Sequence, residues 1–253
     1  MSEKVCVLNC PINLCQVSEA LALVQNSIKK GESFQIVTIN PEMIMNAQNN
    51  QEFLEIIKNS DLNIPDGVGV EVALKMRKIN LARIRGVDFS RELIRIASEN
   101  NYRVAFLGAK EEVIQKAKEN FLTQYPNLNM VYVRNGYFES ENEIIEELKQ
   151  ANPQILLVGL GSPKQEELIS KLKNILKGCA MVGVGGSFDV FSGLTKESPI
   201  IFRKLGLEWL YRTIGQPERF KRIFPTLPIF TLKCIIETMK KKGWYFENIY
   251  QSS

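Results

Sequence analysis

Gln35-Ile36-Val37-Thr38-Ile39-Asn40-Pro41-Glu42 is the stretch that decides the fold. Gln35–Ile39 reads as a strand rich in β-branched residues. Asn40 then offers a helix cap, Pro41 suits a first helical turn, and Glu42 suits the positive end of the helix dipole. A strand that runs directly into a helix is the first half of a βαβ unit.

The same rhythm extends in both directions. Upstream, Val5–Leu8 reads as a strand. Val17, Leu21, Val24 and Ile28 then mark one helix face, which Gly31 stops. Downstream, the helix begun at Pro41 is expected to run to about Lys58, and Leu62–Ile64 is a short apolar stretch before Pro65-Asp66-Gly67. Helices are expected over Val68–Lys78 and Phe89–Asn100, a strand over Arg103–Leu107, and a helix over Glu111–Gln124. Strand Met130–Val133, helix Glu143–Lys149, strand Ile155–Gly159, a helix opened by Ser162-Pro163 and strand Ala180–Val184 complete the series. This alternation predicts an α/β fold: a Rossmann-like, mostly parallel sheet with helices on both faces.

After Gly193 the character changes. Residues 1–194 carry a net charge of −2 and residues 195–253 a net of +6. The tail lacks further strand pattern and holds aromatic-rich helical pieces, the prolines Pro217, Pro225 and Pro228 among others, and the run Lys240-Lys241-Lys242. The expected organisation is an α/β core over 1–194 and a basic helical appendage over 195–253.

Composition removes several chemistries. The chain of 253 residues is 45% hydrophobic and 24% charged, ordinary for a globular protein. Its longest stretches without a charged residue are 14 residues, short of the roughly 20 apolar residues a membrane span needs. The start, Met-Ser-Glu-Lys-Val, lacks a signal-peptide pattern, so the expected compartment is the cytosol. There is no histidine, which excludes Ser-His-Asp and Cys-His catalysis and His-ligated metals. The five cysteines do not follow metal-site spacing and read as reduced thiols. No metal and no cofactor is expected.

In an open parallel sheet, ligands bind beyond the carboxyl ends of the strands, where this chain places its polar and glycine-rich segments. Thr38–Glu42 opens a helix whose N–H groups suit an anion, or is simply a well-capped helix. Asp66, between Pro65 and Gly67, is either a turn residue or a rigidly held general base; only four aspartates are present to choose from. Gly159-Leu160-Gly161-Ser162-Pro163-Lys164 departs from a dinucleotide fingerprint, because Lys164 replaces the third glycine. Gln165 follows this turn. Gly183-Val184-Gly185-Gly186-Ser187-Phe188-Asp189 is a second glycine turn, where backbone approaches a ligand closely or a strand packs on a helix. Neither a Walker A sequence nor an Asp-x-Asp pair occurs.

Six segments in order resemble the motif set of the WecG/TagA/CpsF glycosyltransferases: 38–42, 66–69, 83–88, 159–166, 183–193 and 206–212. The resemblance implies transfer of a sugar, typically N-acetylmannosamine or its uronic acid, from a UDP-sugar to polyprenyl-diphosphate-linked N-acetylglucosamine. It implies inversion, no metal, and work on the inner membrane face during synthesis of a surface polymer such as wall teichoic acid or exopolysaccharide. It puts Asp66 at the general base and Thr38 and Gln165 at catalytic polar positions. Asn40, Arg83, Gly161, Gly185, Gly186, Phe188 and Asp189 are the expected substrate-binding residues, with Arg212, Arg219 and Arg222 added by the appendage. Arg83 and Asp88 are equally readable as a structural ion pair. One departure stands out: the family's Arg-Ala-Pro is Glu197-Ser198-Pro199 here, with Lys196 or Arg203 as the nearby replacements.

The expected partners are the UDP-sugar, the lipid-linked acceptor, the cytoplasmic membrane surface, whose anionic head groups suit the basic tail, and a second copy of the chain. Nucleic acid is not expected, since no nucleic-acid module is present. A non-catalytic subunit that binds a nucleotide-sugar or lipid intermediate is the competing reading.

Overall fold

The computed structural model describes residues 3–204, 206–208, 210–211 and 225–240. Its centre is a six-stranded, fully parallel sheet. The strands are β3 (Phe34–Ile39), β4 (Leu62–Pro65), β5 (Val104–Gly108), β6 (Met130–Arg134), β7 (Ile155–Gly159) and β8 (Ala180–Gly183). Their spatial order is β4-β3-β8-β7-β5-β6.

Central strands of such a sheet must be apolar on both faces, and these are. Ile36, Phe106, Leu157 and Val182 point into one core with α1 (Val17–Lys30), α5 (Gly86–Asn100), α6 (Glu111–Gln124) and α9 (Ser187–Phe191). Their neighbours point the other way. Val37 and Ile39 meet α2 (Pro41–Ala47), α3 (Gln51–Asn59) and α4 (Val68–Met76). Leu107, Leu156, Val158 and Met181 meet α7 (Glu141–Ala151) and α8 (Lys164–Lys173).

Two local expectations are corrected. The helix expected from Pro41 to Lys58 is two helices. Asn50 breaks it by accepting a hydrogen bond from the Phe53 N–H at 3.0 Å, which caps a new helix. The first strand, β1 (Lys4–Val7), does not enter the main sheet. It forms an antiparallel hairpin with β2 (Cys10–Asn13), turned at Leu8 (φ 47°) and Asn9 (φ 66°), both left-handed as a two-residue hairpin turn requires. Asn13 Oδ1 accepts from the Asn63 N–H at 2.8 Å, so the hairpin covers the open edge of β4.

The tail continues in α10 (Ile200–Lys204) and a helix over 225–240. That helix packs back on the core through Phe230 and Cys234. It is pinned by Glu237, which pairs with Arg77 and accepts from the Leu8 N–H at 3.1 Å. Among the described residues, no helix is long and apolar enough to cross a membrane.

Gly108 illustrates how tightly the sheet's carboxyl edge is built. Its φ is +125°, and a Cβ there would lie 2.4 Å from the Gly159 carbonyl oxygen of the adjacent strand. Gly108→Ala therefore combines backbone strain with overpacking against rigid backbone and is expected to cost roughly 3–5 kcal/mol. Gly161 also has a positive φ (+80°), but nothing lies within 4 Å of its Cβ position. Gly161→Ala carries strain alone, about 1–2 kcal/mol. Urea denaturation of both variants checks the contrast, and equal losses would contradict it.

Candidate active site

A parallel sheet delivers the carboxyl ends of all its strands to one edge. The helices that follow β3 and β8 leave on opposite faces, α2 toward one core and α9 toward the other. The two strands are adjacent, so a crevice opens between them, where open α/β sheets bind ligands. Here it is a cleft of about 1280 Å³.

Asp66 lies on one wall. Its N–H extends the sheet by one residue, donating to the Ile39 carbonyl at 2.7 Å, before Gly67 (φ +82°) turns the chain into α4. Asp66 Oδ2 accepts from the Gly86 N–H at 3.2 Å, which opens α5 three residues earlier than the apolar periodicity suggested. Gly86 gives the chain room there, because a Cβ would stand a tight 3.2 Å from both Asp66 Oδ2 and Thr38 Cγ2. Thr38 Oγ1 donates weakly to the Gly183 carbonyl at 3.4 Å. Asn40, expected at a substrate position, caps α2 by accepting from the Met43 N–H at 3.0 Å while it also lines the cleft.

The glycine turns form the opposite wall. Gln165 Oε1 accepts from the Gly185 N–H at 3.0 Å, tying the turn after β7 to the turn after β8. Gly161, Gly185 and Gly186 line the cleft.

Arg83 and Arg85 stand at a third side, and both engage Glu208 from the tail. Arg83 Nη2 reaches Glu208 Oε1 at 3.1 Å and the Arg203 carbonyl at 2.8 Å; Arg85 Nε reaches Glu208 Oε1 at 2.9 Å. Asp88 pairs with Arg85 at 2.7 Å and Arg91 at 3.5 Å, so the Arg83–Asp88 pair read from the sequence is replaced by Arg83–Glu208. Glu197, which stands where the family motif has arginine, binds Arg91 at 2.5 Å and Arg203 at 3.3 Å. Of this network, Arg83, Arg85 and Glu208 line the cleft, so two guanidiniums held by one carboxylate face the ligand space. Arg85 and Glu208 carried no role in the sequence reading. Both stood inside quoted motif segments, Arg85 in 83–88 and Glu208 in 206–212, but nothing local said that they meet.

Phe188 and Asp189 fall elsewhere. Phe188 is fully buried, its ring 5.2 Å from that of Phe106 and 6.2 Å from that of Phe191, so it serves the core and not the ligand. Asp189 occupies the same five-residue helix and is not among the residues lining the cleft. Arg212, Arg219 and Arg222 lie outside the described residues. Thr226 and Ile229 of the C-terminal helix help line the cleft; the resemblance placed the appendage at the site, but these residues were not singled out in the sequence. The cysteines sit away from it; burial pushes the Cys10 thiol up to about 12 and the Cys15 thiol up to about 11, which keeps both protonated.

An aspartate, two glycine turns and two arginines thus gather at the switch point of a parallel sheet, where open α/β folds bind ligands. The chain belongs to the Glycosyl transferase WecG/TagA/CpsF family, whose model matches residues 5–243. It is similar to the N-acetylglucosaminyldiphosphoundecaprenol N-acetyl-beta-D-mannosaminyltransferase of Bacillus subtilis (strain 168), with 33% identity over 211 residues covering 83% of this chain and 82% of that protein. The protein of the same name from Staphylococcus aureus (strain MW2) is 39% identical over 200 residues, 78% of each chain.

Proposed function

We propose that this chain transfers N-acetylmannosamine from UDP to N-acetylglucosamine carried on a polyprenyl diphosphate, with inversion and without a metal. The observation that carries the reading is Asp66, held by the Gly86 N–H in a cleft between glycine turns and paired arginines. In an in-line displacement the acceptor hydroxyl oxygen bonds to the anomeric carbon as the bond from that carbon to the UDP oxygen breaks. Asp66 takes the hydroxyl proton, and UDP departs with the bonding electron pair. The leaving diphosphate is stabilised by the amides of the Gly161 and Gly185 turns and by the guanidiniums at the rim. Thr38 and Gln165 contact the sugar or diphosphate from the floor.

The lipid acceptor calls for a membrane-facing surface, and the C-terminal helix supplies one. Its buried side is Phe230 and Cys234; its outer side exposes Ile229, Leu232, Ile235, Ile236 and Met239 beside Lys233 and Lys240. An apolar stripe flanked by lysines on a helix that also walls the cleft suits docking on an anionic lipid surface.

The test is UDP release from a panel of UDP-sugars with a short-chain polyprenyl-diphosphate-linked N-acetylglucosamine, with EDTA present. Acceptor-dependent release from UDP-N-acetylmannosamine, undiminished by EDTA, is expected. UDP binding with no turnover of any donor would overturn the transferase reading in favour of a non-catalytic binding subunit.

A further inference from the structure

Gln165 has a neighbour to which no role has been given. Glu166 lies in the opening turn of α8 and is 2% exposed. Its Oε1 accepts from Gln165 Nε2 at 2.6 Å, and its backbone carbonyl accepts from Gln35 Nε2 on β3 at 3.2 Å. Its Oε2 has no partner among the described residues. Gly183 makes room for the pair: a Cβ there would stand 2.4 Å from Gln165 Nε2 and 2.7 Å from Glu166 Oε1.

These contacts dictate how Gln165 is oriented. Only the amide oxygen can accept from the Gly185 N–H, and only the amide nitrogen can donate to a carboxylate oxygen. Glu166 and Gly185 together leave one orientation for the Gln165 amide at the cleft. Glu166 also carries an electrostatic penalty, because a carboxylate at this depth is costly as an anion and tolerable as a neutral acid. Burial pushes its carboxyl from the ordinary 4.5 up to about 7, and hydrogen bonds from Gln165, from Ser162 and from its own backbone N–H, which favour the charge, offset only part of that. Glu167 on the same helix raises it further. The other packed elements bring no charge: β3 presents the Gln35 amide, β8 presents Gly183, and α3 keeps Glu52, Glu55 and Lys58 exposed.

We propose that Glu166 is a positioning residue that orients Gln165 and, through it, the Gly185 turn, and that it serves as a neutral acid whose ionisation weakens anion binding in the cleft. The inference rests on the proposed function for the identity of the anion, a nucleoside diphosphate. Neutral Glu166 keeps Oε1 as an acceptor, so the orientation of Gln165 survives protonation. Ionised Glu166 places a negative charge behind the turns that face the diphosphate, a repulsion expected to lower affinity on the order of tenfold.

Two measurements on the full chain test this. In the first, the side-chain amide resonances of Gln165 are followed by NMR across neutral pH. In the wild type they should move with a midpoint near 7, in Glu166→Gln they should stay fixed, and in Glu166→Ala they should collapse toward those of a solvated glutamine. In the second, UDP binding is measured by calorimetry at each pH for the wild type and Glu166→Gln. The terminal phosphate of UDP itself titrates near 6, so the ratio of the two affinities is the quantity that matters. That ratio should move about tenfold against the wild type between pH 6 and 8.5. Stability follows the same titration: because the fold raises this pKa, Glu166 stabilises fully below 4.5 and loses that contribution as pH rises through about 7.

Gln165 resonances that ignore pH, or that Glu166→Ala leaves in place, overturn the proposal. If Glu166→Ala does not fold, the comparison of wild type with Glu166→Gln still decides it. Absence of UDP binding at every pH would instead overturn the donor reading, while the amide titration continues to judge Glu166.

Discussion

Asp66→Asn should reduce kcat by 10²- to 10⁴-fold, the range general-base catalysis usually contributes. Asparagine matches aspartate in shape and keeps an oxygen that can accept from the Gly86 N–H, now 3.2 Å from Asp66 Oδ2. The contact of Gly86 with Thr38 is equally preserved, so the cleft retains its form. What disappears is the capacity to take a proton from the acceptor hydroxyl. UDP affinity should change by no more than about twofold, and the thermal midpoint should stay close to that of the wild type, since the substitution removes no packed atom. The informative measurement is single-turnover UDP release with saturating acceptor. Full turnover in this variant would remove Asp66 as the base without touching the family membership.

Phe230→Ala is expected to have the second large effect, through a residue far from the reacting atoms. Phe230 is 1% exposed, and truncating a buried phenylalanine costs about 3–5 kcal/mol. Besides Phe230, the 225–240 helix is held at Cys234 and through Glu237, which pairs with Arg77 and accepts from the Leu8 N–H. Losing the buried aromatic anchor of a single helix is therefore expected to undock it locally while the parallel sheet stays folded. Hydrogen exchange should show lost protection over 225–240 alone. The cleft would lose the wall formed by Thr226 and Ile229, so turnover of the lipid-linked acceptor should fall by at least tenfold while UDP still binds. Unchanged turnover, with the helix shown to be undocked, would mean that the wall is not needed for the acceptor.

Much of the fold was legible because its signals are local. The helix Glu111–Gln124 and the strand Ile155–Gly159 have the same bounds in sequence and structure, since an apolar period of 3.6 and a short β-branched run each identify themselves. The two corrected elements turn on single asparagines. Asn50 caps a new helix inside what reads as one amphipathic run, and Asn9 lies in a two-residue turn whose other member, Leu8, gives no warning of a left-handed conformation. Nothing in the first strand's own composition says that it joins a separate hairpin, because pairing depends on which edge is open elsewhere in the chain.

The candidate site divides the same way. Thr38, Asp66, Gly161, Gln165 and Gly185 sit at strand ends, and the parallel topology that the βαβ rhythm implies brings such ends to one edge. Their convergence follows from sequence order and the handedness of the crossover connections. Phe188 shows the limit of that reasoning: a motif position next to the glycine turn faces the core because α9 packs its aromatic side against Phe106 and Phe191.

The amino-acid sequence by itself determined the α/β class, the cluster of polar strand ends and the family motifs, all of which depend on neighbours a few residues apart. The tertiary structure alone decided that Glu208 grips Arg83 across 125 positions, that Phe230 seats a cleft wall, and that Glu166 is buried beside the Gln165 amide. These are facts about side chains far apart in the chain meeting in a low-dielectric interior, where the cost of an unpaired charge is set by the final packing and leaves no trace in local order.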